Sequence, residues 1–207
     1  MTASSGTPKN QPLTEDALAA VTGGGTYTGT DGVDQQAGSQ GADNYNLGGG
    51  DDVLSLRQGD DYAEGGAGND AMGGDEGADT MRGQTGNDYL EGRADGDQLY
   101  GDEGHDTLDG GKGDDFARGG MGDDTYRWHP IFDGNDTFYG DAGNNTVLLT
   151  YPGAFEQLGD ALQIKIDGGV EGRWEDGALV FDYPVSGTVT VNGVTLTFHG
   201  VQRIADL

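Results

Sequence analysis

Apolar side chains recur through the middle of the chain at one interval of nine. Tyr45, Leu54, Ala63, Met72, Met81, Leu90, Leu99, Leu108, Ala117 and Tyr126 form a single column set among mostly polar residues. Such a fixed interval marks an internal repeat rather than one long helix or strand. It predicts three-residue strands separated by turns. Side chains alternate along a strand, so the column faces one way and its neighbours the other, giving a single-file core. From about residue 146 the pattern changes to longer β-type runs, TVLLTY (146–151), LQIKID (162–167) and ALVFDY (178–183). TVTV and VTLTF around Asn192-Gly193 predict a β-hairpin. Near the start, Leu13, Leu18 and Val21 are spaced as a short amphipathic helix, with Thr14 as N-cap and Gly23 as its stop. Residues 1–12 are polar and predict a disordered lead-in.

The polar positions keep the same register. Asp34, Asp43, Asp52, Asp61, Asp70, Asp79, Asp88, Asp97, Asp106, Asp115 and Asp124 are each nine apart, and from Asp43 on they stand two residues before the apolar column. Two residues before these aspartates stand Gly32, Gly41, Gly50, Gly59, Gly68, Gly77, Gly86, Gly104, Gly113 and Gly122, with Asp95 as the exception. Three residues further back stand Gly65, Gly74, Gly83, Gly92, Gly101, Gly110 and Gly119. The unit is G-G-x-G-x-D-x-U-x with U apolar, complete in GGAGNDAMG (65–73) and GGKGDDFAR (110–118). Its first half must turn sharply, which glycine permits.

Composition alone gives a different picture. The 207 residues carry 37 acidic and 10 basic side chains, a formal charge of −27, and only 33% are apolar. Highly charged, weakly apolar chains are usually disordered; here the 42 glycines and the aspartates are ordered in register. The charge argues against nucleic acid and anionic membrane surfaces as partners. The absence of cysteine excludes disulfides and thiolate sites. No apolar run is long enough for a transmembrane helix.

The nonapeptide over 41–127 resembles the RTX (repeats-in-toxin) calcium-binding repeat. That resemblance implies an all-β fold, a right-handed parallel β-roll with two nonapeptides per coil, completed by a C-terminal β cap and the short N-terminal helix. It divides the chain into a leader or helix (1–24), a linker with a degenerate first turn (25–40), the roll (41–127), degenerate terminal turns (128–149) and a capping region that doubles as a secretion signal (150–207). Repeats 18 apart then stack their aspartates at the strand spacing, where like charges repel unless a cation separates them. Calcium suits such a site because it takes six to eight oxygens from carboxylates and backbone carbonyls. The resemblance implies Asp43, Asp52, Asp61, Asp70, Asp79, Asp88, Asp97, Asp106, Asp115 and Asp124 as ligands. They act in the pairs 43/61, 52/70, 61/79, 70/88, 79/97, 88/106, 97/115 and 106/124, up to eight Ca2+. Carbonyls come from the turns holding Gly50, Gly59, Gly65, Gly68, Gly74, Gly77, Gly83, Gly86, Gly92, Gly101, Gly104, Gly110, Gly113, Gly119 and Gly122. The first two turns are expected to be irregular, because Leu47 and Leu56 replace glycines, and the sites of Asp97 are expected to be distorted by Asp95. The single-file core is too thin to order 41–127, so this region is expected to fold on binding calcium.

The expected partners are calcium, a type I ABC exporter and an extracellular polysaccharide or surface protein, which makes the chain secreted and extracellular. Val21, Leu18 and Leu13 lie at the spacing of a double-glycine leader cleaved after Gly24; a helix capping the first coil is the alternative reading. The chain is read as non-enzymatic. His105, His129 and His199 form no H-E-x-x-H, and no nucleophile elbow or P-loop is present. His105 is expected to be a solvated turn residue and the other two structural. Tyr62, Tyr89 and Phe116 take outward strand positions, either covering backbone or marking a binding face. The alternatives to a structural or binding role are an accessory module of a polysaccharide-acting enzyme and a small secreted effector or bacteriocin-like precursor.

Overall fold

Three-residue strands cannot bury an apolar residue alone, but strands stacked at the same register can. A computed structural model describes residues 24–151, 154–158, 161–169 and 171–206. The helix and leader expected over 1–24 lie outside these residues, except for Gly24. The described chain is a parallel β-solenoid of about seven turns with almost no helix. One sheet stacks β1 (Thr26–Thr30), β3 (Asn44–Gly48), β5 (Tyr62–Ala67), β7 (Thr80–Thr85), β9 (Gln98–Glu103), β11 (Phe116–Met121) and β13 (Thr137–Ala142). The other stacks β2 (Gln35–Ala37), β4 (Val53–Ser55), β6 (Ala71–Glu76), β8 (Tyr89–Ala94), β10 (Thr107–Lys112), β12 (Thr125–Trp128) and β14 (Asn145–Leu149). Up to Tyr126 every pair joins residues 18 apart, such as Met81 with Leu99 and Leu90 with Leu108. The apolar column therefore forms the core, and each of its ten members is buried.

The position two residues beyond this column changes character along the roll. It is glycine from Gly65 to Gly119, but buried Leu47 and Leu56 fill it at one end, and Trp128 and Leu149 at the other. The ends of the roll thus gain apolar volume where the coils are least regular. Between β12 and β13 three extra residues lengthen the coil, and pairing continues at an interval of 21, Ala117 with Phe138 and Tyr126 with Val147.

The C-terminal strands close the roll by reversing direction. β18 (Val194–Asp206) first pairs in parallel with β13, Phe138 opposite Phe198, and then with β14, Val147 opposite Ile204. It turns from one sheet to the other at Gly200, whose φ is +71°. β17 (Ala178–Val191) lies antiparallel to β18, and the Asn192-Gly193 turn joins them. The apolar run expected to end at Tyr183 instead continues through Pro184, with register shifts on either side of Val185. Proline fits there because a bulge needs no ladder donor. β15 (Leu162–Ile166) and β16 (Arg173–Glu175) pair antiparallel with β17. Among the described residues no helix is long and apolar enough to cross a membrane.

Candidate metal centre

All ten predicted aspartates lie at the turns with their side chains buried, none more than 6% exposed. In each coil the chain turns inward after the motif Asp, and its carboxylate takes up an amide of the coil before it. The Asp52 N–H donates to Asp70 Oδ1 at 2.8 Å, Asp61 N–H to Asp79 Oδ1 at 2.8 Å, and Asp97 N–H to Asp115 Oδ1 at 2.8 Å. Two ladders result, one on each edge of the roll. The edge through Asp52 runs by steps of 18 to Asp124, and the edge through Asp61 to Asp115. The ladders also take in Asp34 before the predicted set and Asp136 and Asn145 after it.

The second oxygen of each carboxylate has a different fate. In Asp52, Asp61, Asp70, Asp79, Asp88, Asp97, Asp106, Asp115 and Asp124, Oδ2 is buried and has no hydrogen-bond partner among the described residues. An uncompensated buried carboxylate oxygen is costly, so nine in register call for a partner that none of the described residues supplies. The space beside them is shaped by missing side chains. A Cβ on Gly74 would strike Asp79 Oδ2 and lie 2.7 Å from the Gly92 carbonyl oxygen; one on Gly101 would strike Asp106 Oδ2 and lie 2.7 Å from the Gly119 carbonyl oxygen. Gly65, Gly83, Gly92, Gly110 and Gly119 stand in the same relation to Asp70, Asp88, Asp97, Asp115 and Asp124.

The other predicted glycines shape the turn. Gly50, Gly59, Gly68, Gly77, Gly86, Gly104, Gly113 and Gly122 have φ between +118° and +144°, a region essentially closed to other residues. Asp95 replaces one of them at φ +73°, within reach of an aspartate. The expected distortion is confined to that residue, since the Asp79 N–H to Asp97 Oδ1 bond keeps its 2.8 Å length.

Electrostatics agree with the geometry. Burial raises the motif carboxyls from Asp52 to Asp124 above the ordinary carboxylate range, to about 6 for Asp70 and Asp106, about 7 for Asp79 and about 8 for Asp97. The amide donated from the coil before pulls each back, and neighbouring carboxylates add to the rise. The donor set is all oxygen, the choice of a hard cation such as Ca2+. Each interval between stacked aspartates offers two carboxylates, and among the described residues no three His, Asp or Glu side chains converge. The remaining ligands of a calcium ion would therefore be turn carbonyls.

A third ladder was not read from the sequence. The residue before each motif Asp on one edge accepts the amide 18 residues on, as Asn69 Oδ1 does from Asn87 N–H at 2.8 Å. His105 is exposed, but its Nδ1 accepts the Asp123 N–H at 2.8 Å and so takes the place of an Asn or Asp in this ladder. Its nine-residue register with Asn69 and Asn87 was the available signal. His129 stacks on Phe132 and His199 on Tyr139, with ring centroids 4.6 and 4.4 Å apart. Phe116 packs between Tyr100 and Tyr139 on one sheet; Tyr62 shares that sheet, while Tyr89 lies on the other and accepts a hydrogen bond from Arg127 Nη1 at 3.1 Å.

Stacked coils with two lines of half-satisfied carboxylates define a metal-stacked parallel β-roll. The chain matches the RTX calcium-binding nonapeptide repeat in four copies, over residues 37–72, 73–108, 100–127 and 132–148, more than half its length. It belongs to this family and is a calcium-binding protein of RTX type. No curated protein matches it.

Proposed function

We propose that this chain is a secreted, non-catalytic module that leaves the cell unfolded through a type I ABC exporter and becomes a rigid β-roll in extracellular calcium, where it serves a structural or binding role. The observation that carries the reading is the register of nine buried, unpartnered Oδ2 atoms. Asp52 to Asp124 on one edge and Asp61 to Asp115 on the other would hold the ions, together with carbonyls of the glycine turns. Bound Ca2+ supplies positive charge between stacked carboxylates and fills the oxygens' missing contacts. The chain's own part is to hold each Oδ1 by an amide, to keep water from Oδ2 by burial, and to leave room through glycine. Extracellular modules typically bind calcium at about 0.1–1 mM, so the same ladder stays open inside a cell and fills outside it.

The test is far-UV circular dichroism and secretion of the full chain. In chelator we expect loss of the β signal, and in millimolar calcium its recovery in one saturable transition. A β-rich spectrum that persists in excess chelator at pH 8 refutes calcium-driven folding. Calcium-dependent pull-down of the exported material against polysaccharides and surface proteins then identifies the partner.

A further inference from the structure

We infer that the array holds seven cations, four on one edge and three on the other, and that the chain's own hydrogen-bond donors close the four intervals beyond them. The inference rests on the calcium reading above and fixes its stoichiometry.

Two independent features select the same seven. The first is the free oxygen. Both members of an interval carry an unpartnered Oδ2 in the four steps from Asp52 to Asp124 and in the three steps from Asp61 to Asp115. The second is the cradle. The later aspartate of each of these intervals, and no other motif Asp, has five residues before it a glycine whose Cβ would strike its Oδ2.

All four flanking intervals fail on the first count and three of them on the second; at the fourth, a Cβ on Gly140 would strike the Asn145 side chain, so the cradle is kept but the free oxygen is not. Before Asp52, Asp34 Oδ2 accepts the Thr30 N–H at 2.8 Å and its hydroxyl at 3.1 Å. Before Asp61, Asp43 Oδ2 accepts the Ser39 N–H at 2.7 Å. The residues five before Asp52 and Asp61 are Leu47 and Leu56, both buried. Beyond Asp115, Asp136 Oδ2 accepts the Tyr126 hydroxyl at 3.0 Å, and the buried Trp128 stands two residues beyond the apolar column, where the regular coils have the cradle glycine. Beyond Asp124 the ladder reaches Asn145, whose Nδ2 donates to the Gly200 carbonyl at 3.1 Å. At each end an N–H or O–H supplies the partial positive charge that a cation supplies within the array. Asn at 145 follows directly: a second carboxylate oxygen there would face a carbonyl oxygen, whereas an amide donates to it.

Equilibrium dialysis of the full chain against radiolabelled calcium counts the saturable sites, with circular dichroism at saturating calcium checking that each variant is folded. The wild-type count is expected to be seven. Asp43→Asn is expected to keep seven, Asp52→Asn, which serves one interval, to leave six, and Asp70→Asn, which serves two, to leave five. A wild-type count of eight that falls to seven in Asp43→Asn overturns the inference and leaves the calcium reading standing. A wild-type chain with no saturable sites overturns both.

Discussion

A Cβ at Gly92 would strike Asp97 Oδ2 and lie 2.5 Å from the Gly110 carbonyl oxygen, whereas one at Gly73 would meet nothing nearer than the Arg93 guanidinium at 3.6 Å. Gly92→Ala therefore places a methyl where a bound ion would lie, against backbone that cannot yield. It is expected to cost about 1–3 kcal/mol or more in urea unfolding at saturating calcium, while Gly73→Ala stays within about 0.5 kcal/mol. Equal stability of the two variants would show that the cradle has no role. The same scale explains what could be read from the chain directly. Positions two before Asp at φ above +118° exclude side chains and so spell out an almost unbroken glycine column. Positions four before Asp sit at φ near +75° in Asp75, Gln84, Arg93 and Asp102, a conformation these residues tolerate at modest cost, so that column is blurred in the sequence. Which oxygen of each carboxylate was already satisfied could not be read at all. The Ser39 and Thr30 amides that close Asp43 and Asp34 are backbone groups, and any residue but proline would supply them.

β18 is the element that joins the regular roll to its irregular end. Its Phe198 is fully buried and continues the column from Ala117 through Phe138, and its Ile204 continues the column from Tyr126 through Val147. Phe198→Ala is expected to destabilise the calcium-saturated chain by about 3–5 kcal/mol, measured by denaturant unfolding. A loss below about 1 kcal/mol would show that β18 is not coupled to the roll. The stacked strands were legible because their period and their pairing interval are two views of one number. The closure was not. Asn192-Gly193 marked the hairpin, but nothing in Val194–Asp206 announces that one strand pairs first with β13 and then with β14. Nor does the sequence say that β17 passes through Pro184, since a bulge absorbs the residue that would otherwise end a strand. The three extra residues show in the sequence only as the twelve, rather than nine, residues from Asp124 to Asp136. Pairing resumes across them at 21, with Trp128 fully buried just before the inserted residues.

For the whole molecule the governing quantity is charge. Residues 41–127 carry a formal −16, close to the opposite of what seven Ca2+ would bring. Burial raises the folded-state pKa of the motif carboxyls from Asp52 to Asp124 above their unfolded value, to about 6 for Asp61, Asp70, Asp88, Asp106, Asp115 and Asp124, about 7 for Asp79 and about 8 for Asp97. The metal-free fold thus holds protons more tightly than the unfolded chain. Its proton-linked stability is complete below the unfolded pKa of about 4 and is lost as pH rises through about 6–8. In chelator the β signal is expected to grow on acidification from pH 8 to pH 5.5, and the calcium concentration for half-folding is expected to rise from pH 6 to pH 8, because protons and calcium both favour the fold over a chain already ionised at pH 6. A calcium midpoint independent of pH over that range would show that the carboxyls are ionised before calcium arrives. The antiparallel β17 has one more effect. A coil that repeats by pure translation offers the same surface at its last turn as at its first, so a second copy could stack on it head to tail, and such contacts grow into open fibres because they never close. Reversing one strand across β18 and ending the carboxylate line on an amide break that translation. The reversal gives a sequence whose repeats have no inherent stopping point a molecule of fixed length.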